Sequence, residues 1–133
     1  MALLDYTLPT DGLAGCFIDG AWQWPASGQK LPVENPSRRE TICEIGRGTA
    51  IEIDLAVTAA HRARRAWAAR PSAARGAMLT ERGNRLTANA EDVARILAAE
   101  SGNAIRTQSR GEAMGAAGVL KYYGGVAGEQ KGE

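Results

Sequence analysis

The sequence predicts an α+β fold in which short β-hairpin strands are followed by about four α-helices. Three observations carry this. Asp19-Gly20, flanked by apolar residues, marks a hairpin near the N-terminus. The stretch from Thr49 to Trp67 has the spacing of one long amphipathic helix. From Ser72 onward, apolar residues recur at steps of three and four between helix breaks.

Residues 1–15 contain Pro9, Gly12 and Gly15 and are expected to form an irregular arm. Phe17-Ile18-Asp19-Gly20-Ala21-Trp22 then reads as a tight hairpin, because both central positions of a type I′ turn need positive φ. A loop follows from Pro25 to Gly28. Leu31 to Glu34 form a short strand that Asn35-Pro36 ends. Ser37 to Glu40 form a polar turn, and Thr41 to Ile45 alternate as a strand, with Ile42 on one face and Cys43 and Ile45 on the other.

Gly46 and Gly48 break that strand ahead of the long helix. Thr49 and Glu52 have capping-box spacing: the hydroxyl accepts from the amide of Glu52, and the carboxylate reaches back to the amide of Thr49. Ile53, Ala56, Ala60, Ala63 and Trp67 share one face. The alanines let a neighbour approach closely, and Trp67 offers a wide apolar anchor.

Arg70-Pro71-Ser72 is a break, with Ser72 as N-cap of a helix over about 73–89 that places Leu79, Gly83 and Leu86 on one side. Asn89 caps a third helix carrying Val93, Ile96, Leu97 and Glu100, and Gly102 suits the left-handed position that stops it. A fourth helix is expected from Thr107 to Gly128. Ala113, Ala117, Leu120 and Tyr122-Tyr123 supply its apolar side. Each of its interior glycines, Gly111, Gly115 and Gly118, weakens it by roughly 1 kcal/mol against alanine, which makes sense only where a backbone or another helix packs close.

A chain of 133 residues with 44% hydrophobic and 23% charged residues suits one soluble globular domain. A net charge of +1 supplies no bulk field toward nucleic acid or membrane. Cys16 and Cys43 are too few for a disulfide scaffold and are expected as free thiols in a reducing cytosol. The first five residues lack the features of a secretion signal, and no apolar run is long enough to span a bilayer.

The catalytic inventory is thin. His61 is the only histidine and reads as a solvated imidazole among arginines. Neither cysteine has a nearby base in sequence, so both read as inert thiols, and their separation does not make a zinc motif. Glu52, Asp54, Glu91 and Asp92 lie where carboxylates favour helix N-termini, which accounts for them without acid–base catalysis. Gly124-Gly125 follow a helix pattern rather than a strand and form no phosphate cradle. Residues 61–95 carry eight arginines against three acids, but spread over several helical faces and without interleaved aromatics. A solvated face with inter-helix salt bridges is the reading favoured over nucleic-acid binding. From composition and spacing alone, no catalytic, cofactor-binding or metal-binding residue is assigned.

The order of features nevertheless closely resembles the start of the NAD(P)-dependent aldehyde dehydrogenase superfamily. The resemblance rests on Phe17 to Trp22 as its opening hairpin, Ser27-Gly28-Gln29 as a turn, and Val33-Glu34-Asn35-Pro36 as an Asn-Pro corner. Ile51 to Trp67 then stand as its alanine-rich helix ending in tryptophan. Further on, Ser72 to Gly76, Glu100-Ser101-Gly102-Asn103 and Leu120 to Gly125 are similar to its later helix start, helix stop and Tyr-Tyr segment. The match runs from about Cys16 to Glu133. Asn103 stands where that family usually has lysine, a change of local surface contact.

The resemblance implies an α/β family fold of which this chain is the N-terminal α+β part: residues 1–15 as arm, and 16–133 as an incomplete N-terminal portion of the cofactor-binding domain. It implies a fragment or subunit of an oxidoreductase that oxidises an aldehyde to a carboxylic acid. In that chemistry a cysteine attacks the aldehyde, hydride passes to NAD(P)⁺, and water activated by a glutamate releases the acid. The family's nucleophile, general base, oxyanion-holding asparagine and cofactor turn all lie beyond this segment, so the chain alone is expected to be inactive and to bind neither NAD nor NADP. Its implied partners are the remaining dehydrogenase segment or a second subunit, within a cytoplasmic homo-oligomer. The alternative is a non-catalytic helical interaction module or regulatory partner derived from the same family. Many relatives hold a structural cation at places that correspond here to Val33, Glu34 and Ser101. The missing carboxylate at Ser101 argues against that site, and no metal ligand is assigned.

Overall fold

The computed structural model describes residues 15–129. The arm expected over residues 1–15 lies outside the described residues, apart from Gly15. The chain divides into two compact units, one through Arg65 and one from Ala66.

The first unit begins with β1 (Cys16–Ile18) and β2 (Ala21–Gln23), paired antiparallel with Phe17 opposite Trp22. Asp19 (φ 54°) and Gly20 (φ 83°) both adopt left-handed backbone, as the type I′ turn requires. The rings of Phe17 and Trp22 lie 5.2 Å apart, a cross-strand aromatic pair. Ile18 is the buried apolar residue of this hairpin.

A second hairpin pairs β3 (Lys30–Asn35) with β4 (Glu40–Gly46). Each strand runs one residue further at both ends than the sequence predicts. Asn35 builds the connection: its side-chain oxygen accepts from the Ser37 amide at 3.0 Å, and its carbonyl accepts from the Arg39 amide at 2.7 Å. The pairing slips between Val33, opposite Cys43, and Glu34, opposite Thr41. Ile42 is therefore the extra residue of a β-bulge. That corrects the expected alternation of β4: Ile42 and Cys43 are both half-buried, because a bulge interrupts the two-residue period. At the strand's end, a Cβ on Gly46 would stand 2.5 Å from the Pro25 ring, so only glycine fits there.

Helix α1 (Ala50–Ala68) lies within one residue of its expected span. Glu52 is its buried residue, and Ala59 alone of the rest is half-buried. The predicted face of Ile53, Ala56, Ala60, Ala63 and Trp67 is open throughout, with Ile53 63% and Trp67 42% exposed.

The second unit comprises α2 (Ser72–Ala88), α3 (Ala90–Ser101), a π-helical turn (Ile105–Ser109) and α4 (Arg110–Val126). Two expected caps differ. Ser72 is already helical, because the carbonyl of Pro71 accepts from the Arg75 amide at 3.1 Å and the extended Pro71 is the N-cap. Asn89 places no side-chain bond on α3; its side-chain nitrogen donates to the Arg85 carbonyl at 2.8 Å and closes α2 instead. Gly102 does end α3 in left-handed backbone at φ 74°. The fourth helical segment starts at Ile105 rather than Thr107. Its first turn is wide, with the Ser109 amide donating back five residues to the Ala104 carbonyl at 3.3 Å.

The core of this unit is made of small side chains: Ala94, Ala113 and Ala117 are fully buried. Small residues let α2 and α4 come together almost backbone to backbone. A Cβ on Gly76 would collide with the carbonyl of Gly124, and one on Gly83 would lie 2.9 Å from the carbonyl of Ala117. Gly124 meets Thr80 and Gly76 in the same way. Leu79 and Leu86 flank this seam half-buried, on the side the sequence predicts. The expectation for Gly111, Gly115 and Gly118 is corrected: a Cβ on any of them would meet nothing within 4 Å. The close approach uses Gly76, Gly83 and Gly124, whose face of each helix looks inward.

Candidate functional site

The most constrained polar group of the first unit is the carboxylate of Glu52. The backbone amide and the hydroxyl of Thr49 both donate to its Oε2 at 2.7 Å, and the amide of Ala26 donates to Oε1 at 3.0 Å. The Thr49 hydroxyl also accepts from the Ile51 amide at 3.3 Å. This refines the capping box: the hydroxyl donates to the carboxylate and accepts one residue earlier than the sequence pattern suggests. Three donors hold the charged form, with the Thr49 hydroxyl the strongest influence, and the carboxyl falls from its ordinary 4.5 to about 2. A carboxylate so acidic and so fully engaged is a poor proton acceptor at neutral pH. What it can do is tie the Pro25–Gly28 loop to the start of α1.

The other titratable residues also favour structure over chemistry. His61 is exposed on α1. Cys16 and Cys43 are half-buried thiols outside any disulfide. No group of three His, Cys, Asp or Glu suited to a metal ion occurs among the described residues. Val33 and Glu34 straddle the register shift of β3, while the Ser101 hydroxyl donates to the Leu97 carbonyl at 2.5 Å at the end of α3. Asn103 donates to Glu112 at 3.4 Å, a surface contact.

Among the described residues, three of the eight clustered arginines face carboxylates: Arg62 with Asp19, Arg85 with Glu81, and Arg95 with Glu91. Glu91 also takes a two-pronged bond from Arg110 at 2.8 Å, linking α3 to α4. That bond holds the Glu91 carboxyl below its ordinary value and the Arg110 guanidinium above its own.

A shallow groove of about 470 Å³ runs along the second unit, walled by Ala73, Ala77, Thr80, Asn84, Gly124 and Gly128. Gly124-Gly125 lie inside α4, not in a strand-to-helix turn, so this glycine pair does not fit the phosphates of a dinucleotide. Sequence reasoning missed four features: the third donor to Glu52, which comes from a residue 26 positions away; the bulge at Ile42; the π turn; and the seam glycines. The Gly76–Gly83 spacing of two helical turns was a usable signal for the seam.

The aldehyde dehydrogenase family model matches residues 22–133. The chain belongs to the aldehyde dehydrogenase family. An aldehyde dehydrogenase of Aspergillus niger is 37% identical over 120 residues, which cover 90% of this chain and 24% of that protein. A betaine aldehyde dehydrogenase of Mesorhizobium japonicum is 33% identical over 120 residues, covering 90% and 25%. A putative aldehyde dehydrogenase of Burkholderia cenocepacia superimposes with a TM-score of 0.87 at 35% identity, covering 90% of this chain and 24% of that one. PnpE, solved in complex with nicotinamide adenine dinucleotide, gives 0.86 at 32% identity with the same coverage. The chain thus spans about a quarter of the length of the aldehyde dehydrogenases it matches, and its two hairpins and four helices are the fold of that part of the family. No helix among the described residues is long and apolar enough to cross a membrane.

Proposed function

We propose that this chain is the N-terminal scaffold of an NAD(P)-dependent aldehyde dehydrogenase that oxidises an aldehyde to a carboxylic acid. The observation that carries this reading is the family match over residues 22–133, aligned to one quarter of each relative. The Glu52 node and the glycine seam fix the backbone, and neither offers a nucleophile or a working base. The remaining three quarters supply the cysteine, the glutamate and the cofactor turn. NAD or NADP binds there, in a cytoplasmic homo-oligomer. The chain's role is to hold part of the cofactor domain together. Isothermal calorimetry of the isolated chain with NAD and with NADP tests this. No saturable heat is expected; saturable binding places a cofactor site within these residues and overturns the reading.

A further inference from the structure

We infer that the Asp19-Gly20 turn is a modification site, where aspartate converts to isoaspartate, and that Arg62 of α1 restrains the conversion. Asp19 is the one aspartate or asparagine followed by glycine among the described residues. Its side chain is 63% exposed, at the tip of the first hairpin. Gly20 has no side chain to shield its backbone nitrogen, and a Cβ there would meet nothing within 4 Å. The Gly20 amide makes no hydrogen bond among the described residues, because strand pairing begins at the flanking Ile18 and Ala21. An amide so placed is free to act as a nucleophile toward the neighbouring carboxyl.

The carboxyl first takes a proton from solvent. The Gly20 nitrogen then attacks Asp19 Cγ: the C–N bond forms, the C–O bond to the hydroxyl breaks, and water leaves with the amide hydrogen. A second water opens the resulting cyclic imide at one of its two carbonyls. Opening at Cγ restores aspartate. Opening at the main-chain carbonyl leaves isoaspartate, whose backbone path runs through the former side chain and is one carbon longer. Water is the only co-reactant. Ring closure requires the turn to open, and two paired strands of three residues each are marginal on their own. Arg62 opposes that opening. Its Nη2 lies 2.5 Å from Asp19 Oδ2, which fastens the turn to α1 and engages the carboxyl group that must swing onto Gly20. Both side chains are mostly exposed, and pairs of that kind are weak, so the restraint is severalfold rather than absolute.

The test is prolonged incubation of the 133-residue chain at neutral pH, as wild type, Arg62→Gln and Arg62→Lys. Isoaspartate is scored by enzymatic carboxyl methylation and placed by peptide mapping that separates Asp19 from Asp11, whose own Asp-Gly pair lies outside the described residues. Asp54 and Asp92, each inside a helix and followed by a branched residue, are internal controls. Isoaspartate is expected to accumulate at Asp19 and not at the two controls. Arg62→Gln is expected to raise the rate at Asp19 roughly two- to fivefold, the span that loss of an exposed ion pair allows. Arg62→Lys, which keeps the charge, should stay nearer to wild type. Isoaspartate at Asp11 alone, or at neither residue, overturns the site. Equal rates at Asp19 in wild type and Arg62→Gln overturn the part given to Arg62. A rise in Arg62→Gln at Asp54 and Asp92 as well traces the effect to general unfolding and overturns that part too.

Discussion

Thr49 and Glu52 meet at a single carboxylate oxygen: the amide and the hydroxyl of Thr49 both donate to Glu52 Oε2 at 2.7 Å. With the Ala26 amide on the other oxygen, one charged group fastens a loop and a helix start together. The folded carboxyl titrates near 2, below its ordinary 4.5. A depressed carboxyl contributes stability above its unfolded value and loses it as pH falls through the folded one. Stability is therefore expected to be constant in this respect above about pH 5 and to decline between about pH 5 and 2. Glu52→Gln should lower the melting temperature at pH 7 and flatten that acid decline. Thermal melts of both proteins across the range check it; parallel pH profiles would show that Glu52 carries no such linkage.

The seam between α2 and α4 sets up opposite outcomes for the same change. Gly76→Ala forces a methyl into the Gly124 carbonyl, and overpacking of this kind costs about 1–3 kcal/mol. Gly111→Ala meets open space on the same bundle and should gain about 1 kcal/mol from helix propensity alone. Urea denaturation of the two variants against wild type checks the pair. A gain at Gly76, or a loss at Gly111, would mean the two helices do not approach as described.

These positions show how far the sequence could be read. The hairpin at Asp19-Gly20, the α1 start and the Gly102 stop follow from local rules, because a left-handed turn or a cap is decided within four residues. The bulge at Ile42 needs the partner strand, and the third bond to Glu52 needs a residue 26 positions away. Which glycines of α4 are enclosed depends on which side α2 takes, and periodicity alone leaves that open. That no catalytic residue is assigned rests on composition alone. One histidine, two separated cysteines and helix-capping acids provide little to assemble.

Gly102 ends α3 at φ 74°, a backbone in which a Cβ is strained. Gly102→Ala is expected to lose about 1 kcal/mol, and Gly102→Asn less, since asparagine tolerates this region. Chemical denaturation of the two variants ranks them. Equal losses would indicate that the left-handed cap is not what the glycine supplies.

Ser109 sits where the π turn passes into α4, fully buried, and its hydroxyl has no hydrogen-bond partner among the described residues. A buried polar group left unsatisfied costs about 1–3 kcal/mol, whereas a shape-matched apolar group does not. Ser109→Ala removes the oxygen at little loss of volume. It is therefore expected to raise stability by about 1 kcal/mol, less any packing lost around the missing atom. Ser109→Val, which adds bulk at the same buried point, should lower stability through overpacking. Urea denaturation of both variants measures the balance. A loss in Ser109→Ala would mean that the hydroxyl is bonded in solution and that the wide turn is held by it.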